Sequence, residues 1–346
     1  MFVEKLIQKA AEVGGSDLHV VFGVPPKIRK DGELQDLEGF SAMTDQDCDT
    51  LAEELLGEPM PALGERDLSL EVSGRRVRVN LFRQSGHVSG ALRLLADSIP
   101  ELDVLGLPPA VQDLPSLQRG IVLVTGETGS GKSTTLAAIL RRINETRRDH
   151  IITLEDPIEY IHVPDHCLIN QREIGRDTES YAEGLRAILR EDPDVILIGE
   201  MRDLITIETA LTAAETGHLV FATLHTNSAA DSIDRMVDVF PAERQRQIRM
   251  QLSMTLQAVL AQQLLPRRGG GRVAACEMMV MSPAIRNLIR EGKTPQIANA
   301  VATSADLGSI TMDNALIRLF KEKKITAETA RAAAHDPEYV KKSTLF

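Results

Sequence analysis

The sequence predicts an α/β fold in which helices cover both sides of a sheet, preceded by a smaller α+β module. Three observations predict it. Beyond residue 120, short apolar runs alternate with stretches of helical period; the run Val195–Ile198 has no polar alternate face; and four prolines between Ser98 and Gly120 break every periodic pattern. The hinge is placed near 97–115, which divides the chain into an N-terminal domain (1–100), a linker (101–115) and a larger domain (116–346).

In the first hundred residues, Leu6, Ile7, Ala10 and Ala11 recur at helical spacing, and apolar runs follow near Leu18–Phe22 and Leu68–Val72. Within Arg76–Arg83 the alternation sets Val77, Val79 and Leu81 on one face and Arg76, Arg78 and Asn80 on the other, the pattern of a half-buried strand. After Gln84-Ser85-Gly86 a second run, His87–Leu95, carries Arg93, so the pair reads as a hairpin. Further on, strands are expected at Ile121–Val124, Ile151–Leu154, Val195–Ile198 and Leu219–Thr223. Helices are expected from Lys132, over Ser180–Arg190, over Leu204–Glu215, and as long segments thereafter.

Composition narrows the function. With 346 residues, 43% of them hydrophobic, the chain buries a sizeable core. A formal charge of −11 and 3% aromatic residues, with no Trp, argue against bulk electrostatic binding to nucleic acid and against stacking platforms for single strands. Cys48, Cys167 and Cys276 lie far apart, so neither a disulfide framework nor a zinc knuckle is expected. No signal-like apolar run stands at the N-terminus and no membrane-length apolar stretch occurs elsewhere. A cytosolic protein follows as the expectation.

Gly126-Glu-Thr-Gly-Ser-Gly-Lys-Ser133 matches G-x-x-x-x-G-K-[ST], directly after an apolar strand and directly before a helix. In that context Gly126, Thr128, Gly129, Ser130, Gly131 and Thr134 wrap backbone N–H groups around a triphosphate, Lys132 reaches its β and γ oxygens, and Ser133 ligates Mg²⁺. ATP or GTP is implied. Such a loop needs an acidic strand end nearby. Asp194-Val-Ile-Leu-Ile-Gly-Glu200 supplies Glu200, holding Mg²⁺ directly or through water, and Glu155-Asp156-Pro-Ile-Glu159 supplies a second cluster. Spacing alone does not rank Glu155 against Glu159. His218 and His225 bracket a third apolar strand, which suits a γ-phosphate sensor.

Taken together, GETGSGKSTT, TLEDPIEY, DPDVILIGEMRD and AETGHLVFATLHT resemble the type II and type IV secretion ATPase superfamily. More narrowly, GGSDLH, VPPKIRKDG and CEMMVMSPAIRNLIREGK resemble its type IV pilus retraction branch, the PilT-like ATPases, over almost the whole chain. The resemblance implies a PAS-like N-terminal domain, a RecA-like ATPase domain and a ring homohexamer whose ATP sits between the domains. It also implies an inner-membrane platform protein at the pilus base as partner. By position it assigns Lys132 and Ser133 to the Walker A pair, Glu155, Asp156 and Glu159 to an acidic box with Glu159 as catalytic base, and Glu200 to Walker B. His218 and His225 fall in a histidine box, and Arg78 and Arg93 match arginines directed at the phosphates.

Ala284–Glu291 is similar to a motif associated with retraction. Ile285, Leu288 and Ile289 make its apolar stripe, and Arg286, Asn287, Arg290 and Glu291 are expected on its exposed face. Glu127 departs from the family, standing where a proline is common. Against retraction stand four alternatives: an extension or secretion ATPase, from which a tetracysteine element would be expected; an accessory retraction paralogue; a regulator that binds ATP without hydrolysing it; and a DNA translocase.

Overall fold

A computed structural model describes residues 1–30, 32–95 and 98–344. Asp31 of the KIRKDG stretch, Asp97 at the start of the expected hinge and the terminal Phe346 lie outside the described residues. The chain forms two compact units: Met1–Ser98 with Pro157–Tyr160, and Ile99–Asp156 with Ile161–Phe346.

The first unit runs α1 (Phe2–Glu12), β1 (Asp17–Val20), β2 (Lys27–Lys30), β3 (Glu33–Asp36), α2 (Asp45–Leu56), β4 (Arg66–Val72), β5 (Arg75–Gln84) and β6 (His87–Leu94). Its sheet has the order β3-β2-β1-β6-β5-β4, and every pair within it is antiparallel. The alternation read in β5 is real: Val77, Val79 and Leu81 are buried and pack with Leu6, Ile7 and Leu51 of the two helices. The β5–β6 hairpin closes through Ser85 and Gly86, both at positive φ (51° and 88°), a two-residue turn whose twist matches the strands. The Pro157–Tyr160 segment joins this unit by burying Ile158, whose carbonyl accepts a 2.9 Å hydrogen bond from Arg76 Nη2.

In the second unit, 3₁₀ helices at Leu102–Leu105 and Pro109–Ser116 lead into β7 (Gly120–Thr125), α3 (Lys132–Thr146), β8 (His150–Glu155), β9 (Leu168–Glu173), α4 (Tyr181–Ile188), β10 (Val195–Ile198), α5 (Leu204–Glu215), β11 (Leu219–Leu224), α6 (Ala229–Asp238) and α7 (Ala242–Thr255). Then come β12 (Leu256–Pro266), β13 (Arg272–Val280), α8 (Pro283–Glu291), α9 (Ile297–Ala302), α10 (Met312–Lys321), α11 (Ala327–Ala332) and α12 (Pro337–Ser343). The sheet order is β13-β12-β7-β11-β10-β8-β9, parallel throughout except for the β12–β13 hairpin.

Both faces of that sheet are buried. Ile121, Leu123, Ile196, Ile198 and Val220 face one cluster with α4 to α9, while Val122, Val124, Leu197, Leu219 and Phe221 face the other with α3. Continuous apolar strands are the direct consequence, because neither face has water to prefer a polar residue. The fold is therefore α/β, with an antiparallel-sheet unit before a mainly parallel one.

Three expectations need correction. The stretch 101–115 is not a free linker, since Leu102, Val111 and Leu114 are buried against α3 and pack into the second unit. After α7 the chain does not stay helical: Leu256–Pro266 is rich in Leu, Ala and Gln, all helix formers, yet pairs as a strand beside β7. Its burial there outweighs local preference. Arg286 does not stand on the exposed face of α8. Its guanidinium donates to Ser253 O (2.7 Å), Met254 O and Gln257 Oε1, closing the carbonyl end of α7, where a cation is favoured.

His162 is 8% exposed, and burial pushes its imidazole down to about 4. A histidine whose folded pKa lies below its unfolded value near 6.5 leaves the unfolded chain binding more protons. Stability is thus complete above about pH 6.5 and falls as the pH drops toward 4. Between pH 7 and pH 4.5, wild-type protein should lose about 2–3 kcal/mol more than His162→Gln in urea unfolding of the second unit. Equal losses in the two proteins would exclude this coupling.

Candidate functional site

Parallel strands deliver their carboxyl ends to one edge, and the register specifies which residues meet there. Thr125 of β7 stands opposite Leu224 of β11, Ala222 opposite Ile198 of β10, and Ile198 opposite Leu154 of β8. The loop after β7, Gly199-Glu200 after β10, His225 after β11 and Glu155 at the end of β8 therefore share that edge, the usual ligand side of such sheets.

The loop 126–131 is built for an anion. Gly126, Gly129 and Gly131 hold positive φ (138°, 81° and 94°), conformations that L side chains rarely adopt. Gly131 caps α3 and, lacking a side chain, offers no acceptor to the first-turn N–H groups. Lys132 Nζ donates to Gly126 O (2.7 Å) and Glu127 O (3.0 Å), which holds the ammonium over the loop. Inside it, Ser130 Oγ is buried with no hydrogen-bond partner, as is Thr125 Oγ1 just before it. These orphaned hydroxyls, three glycines at positive φ and a helix N-terminus fit a polyphosphate. Thr128 is exposed, and Ser133 and Thr134 are half-buried in the first turn of α3.

Glu200 is the organising carboxylate. Its Oε2 lies 2.5 Å from Arg202 Nη2 and its Oε1 3.2 Å from His225 Nε2. Burial is the largest single influence and pushes the carboxyl up, but Arg202 and His225 together outweigh it and hold Glu200 below the ordinary carboxylate range. It is ionised at neutral pH and, so stabilised, a weak base; holding a cation or orienting water suits it better than taking a proton. Beside it, the Thr223 hydroxyl donates to Gly199 O, and Gly199 N donates to Leu154 O (2.7 Å), so three strand ends are tied together. Glu155 Oε1 accepts from Thr153 Oγ1 (2.7 Å) and Gln171 Nε2 (3.2 Å), while Asp156 is exposed.

His218 is not part of this cluster. It precedes β11, where its carbonyl accepts from Gly120 N, and its Nδ1 donates to Ala213 O (2.8 Å). Six residues of strand separate it from the carboxyl edge, roughly 20 Å, so within one chain it does not reach the loop. The expectation of a cofactor-binding His218 is corrected accordingly. Glu159 packs in the first unit, as do Arg78 and Arg93, which stand directly opposite each other across β5 and β6. Arg93 Nε donates to Asp17 Oδ1 (2.8 Å); Arg78 has no acidic partner among the described residues. Opposed like charges destabilise a strand pair, so the local fold does not call for this one.

Two nearby residues escaped sequence reading. The Tyr181 hydroxyl stands 2.9 Å from where a Cβ on Gly199 would sit; burial, then the charges of Asp156, Glu200 and Glu155, push its pKa up, so it remains a neutral donor beside the carboxylates. Asn227 Nδ2 donates to Glu127 Oε1 (3.4 Å), which ties the segment after β11 to the loop and partners the charge that replaces proline.

The sequence pattern of the Type II/IV secretion system protein family matches residues 67–315. The chain is 47% identical over 343 residues to the type IV pilus retraction ATPase PilT of Pseudomonas aeruginosa, spanning 98% of this chain and 99% of that one. It is 44% identical over 319 residues to a twitching motility protein of Neisseria gonorrhoeae, spanning 90% and 85%. Among solved structures, that of the pilus retraction motor PilT with bound ADP superposes with a TM-score of 0.89 at 47% identity, covering 98% of each chain. With that likeness along nearly its whole length and a nucleotide site at the expected strand ends, the chain belongs to the type II/IV secretion system protein family.

Proposed function

We propose that this chain is an ATP-hydrolysing motor that retracts type IV pili, working as a ring homohexamer in the cytoplasm at the inner-membrane pilus base. One observation carries the reading. A phosphate loop with its lysine and an ionised Glu200 paired to His225 meet at one sheet edge, in a chain that matches a retraction ATPase over 98% of its length.

In this reading Gly126, Thr128, Gly129, Ser130, Gly131, Lys132, Ser133 and Thr134 bind the triphosphate, with Glu155 and Asp156 around it. The Ser133 hydroxyl and Glu200 would hold Mg²⁺, which when bound neutralises charge on the β and γ oxygens. No group of three His, Cys, Asp or Glu suited to a metal exists among the described residues, and an ion that arrives with its nucleotide needs none. Glu159 takes the proton of the attacking water, and His225 registers the γ-phosphate through its contact with Glu200. Arg78 and Arg93 of the first unit neutralise the developing charge and couple hydrolysis to domain movement. No helix among the described residues is long and apolar enough to cross a membrane. In this proposal the protein reaches the membrane through a platform protein.

Because neighbouring subunits complete each site, phosphate release per mole of protein should rise with protein concentration as the ring assembles and then level off. Specific activity independent of concentration down to the monomer would remove the shared-site part of the proposal; no phosphate release at any concentration would remove the motor.

A further inference from the structure

The strand β12 continues past its partner. Ala261 pairs with Thr125, the last residue of β7, yet β12 runs on to Pro266, so Gln262 lies alongside the phosphate loop itself. Gln262 is 3% exposed. Its Oε1 accepts a hydrogen bond from the hydroxyl of Thr135, 2.9 Å away in the first turn of α3, and the Thr135 side chain is itself buried. A Cβ on Gly126 would collide with the Gln262 carbonyl, and one on Gly131 would stand 2.7 Å from Gln262 Nε2. Gln262 lines two cavities, of about 270 and 330 Å³; Thr128, Gly129 and Ser130 also line one, Gly131, Thr134 and Thr135 the other.

We propose that Gln262 is a positioning residue for nucleotide binding: it packs on both end glycines of the phosphate loop and hydrogen-bonds the first turn of α3 through Thr135. This rests on the ATPase reading above. Its physical basis is pre-organisation. Loop N–H groups that already point inward bind phosphate without the cost of ordering themselves, so losing the brace weakens binding and leaves the chemical step unchanged. The brace also accounts for two of the motif's glycines, because it occupies the space their side chains would need.

The test uses the full chain, N-methylanthraniloyl-ADP with Mg²⁺ as the binding probe, and steady-state phosphate release. Gln262→Leu removes the amide at similar volume, and Thr135→Val removes the hydroxyl at constant shape. Each should weaken probe binding and raise the KM for ATP about ten-fold, with kcat within about two-fold of wild type. The double variant should be no weaker than the weaker single one, since both lose the same hydrogen bond. Thr135→Ser, which restores the hydroxyl, should bind as wild type does. Should Gln262→Leu fail to fold, weak binding by Thr135→Val with normal binding by Thr135→Ser supports the brace. Wild-type binding in folded Gln262→Leu or in Thr135→Val overturns it, as do losses that multiply in the double variant or a fall in kcat at unchanged KM. Failure of the wild type itself to bind the probe would overturn the nucleotide reading and this proposal with it, whereas equal binding by wild type and variants overturns the brace alone.

Discussion

Lys132→Ala should lower steady-state phosphate release by about 10²–10³-fold, the usual consequence of removing one preorganised group from a developing charge. The ammonium is held over the loop by Gly126 O and Glu127 O at 2.7 and 3.0 Å, so its position is set before any phosphate arrives. Alanine cannot reach the β and γ oxygens. Lys132 is the first residue of α3 and only half-buried, and alanine is a good helix former, so the thermal transition should hardly move. An unfolded variant would leave lost catalysis indistinguishable from lost structure. A folded variant that releases phosphate at the wild-type rate would contradict the role given to the loop.

Glu200→Gln should separate binding from hydrolysis. The nucleotide phosphates are gripped by the loop, on β7 and α3, whereas Glu200 follows β10 and contributes charge to the metal and the water. Glutamine keeps the shape and one acceptor for Arg202 or His225 but loses the negative charge. Phosphate release should fall about 10²–10⁴-fold while ADP affinity changes little, as measured by equilibrium binding beside a phosphate-release assay. Because Arg202 and His225 hold the wild-type carboxyl ionised, the acid limb of the pH–rate profile should not reflect an elevated Glu200. Hydrolysis at the wild-type rate in Glu200→Gln would shift the metal-binding role to Glu155 or Asp156.

What could be read in advance follows from where the determinants lie. The phosphate loop was legible because glycine, lysine and serine at fixed spacing encode a backbone shape locally, between a strand and a helix that both carry their own periodicity. The paired arginines of β5 and β6 were legible as a hairpin for the same reason, with Arg78 and Arg93 facing each other as the turn dictates. The end of a strand was harder. His218 and His225 bracket one apolar run symmetrically, and only the parallel pairing of Leu219 with Gly120 and Leu224 with Thr125 decides which of them lies near the loop. Tyr181, Asn227 and Gln262 belong to no motif; each reaches the site through contacts between segments remote in sequence. The strand β12 was hidden more deeply, since LQAVLAQQLL reads locally as helix, and only the open side of β7 makes it a strand. In α8 the apolar stripe told which side packs but not that Arg286 turns back to close α7.

The direction of the motor is the central claim, and one comparison in the native host tests it most directly. The gene is deleted, surface pili are counted and twitching is measured, with complementation by wild type and by Lys132→Ala. The account predicts abundant surface pili without movement in the deletion strain, restored by wild type and not by Lys132→Ala. Cells without pili would contradict it, placing the same ATPase chemistry on the side of pilus assembly.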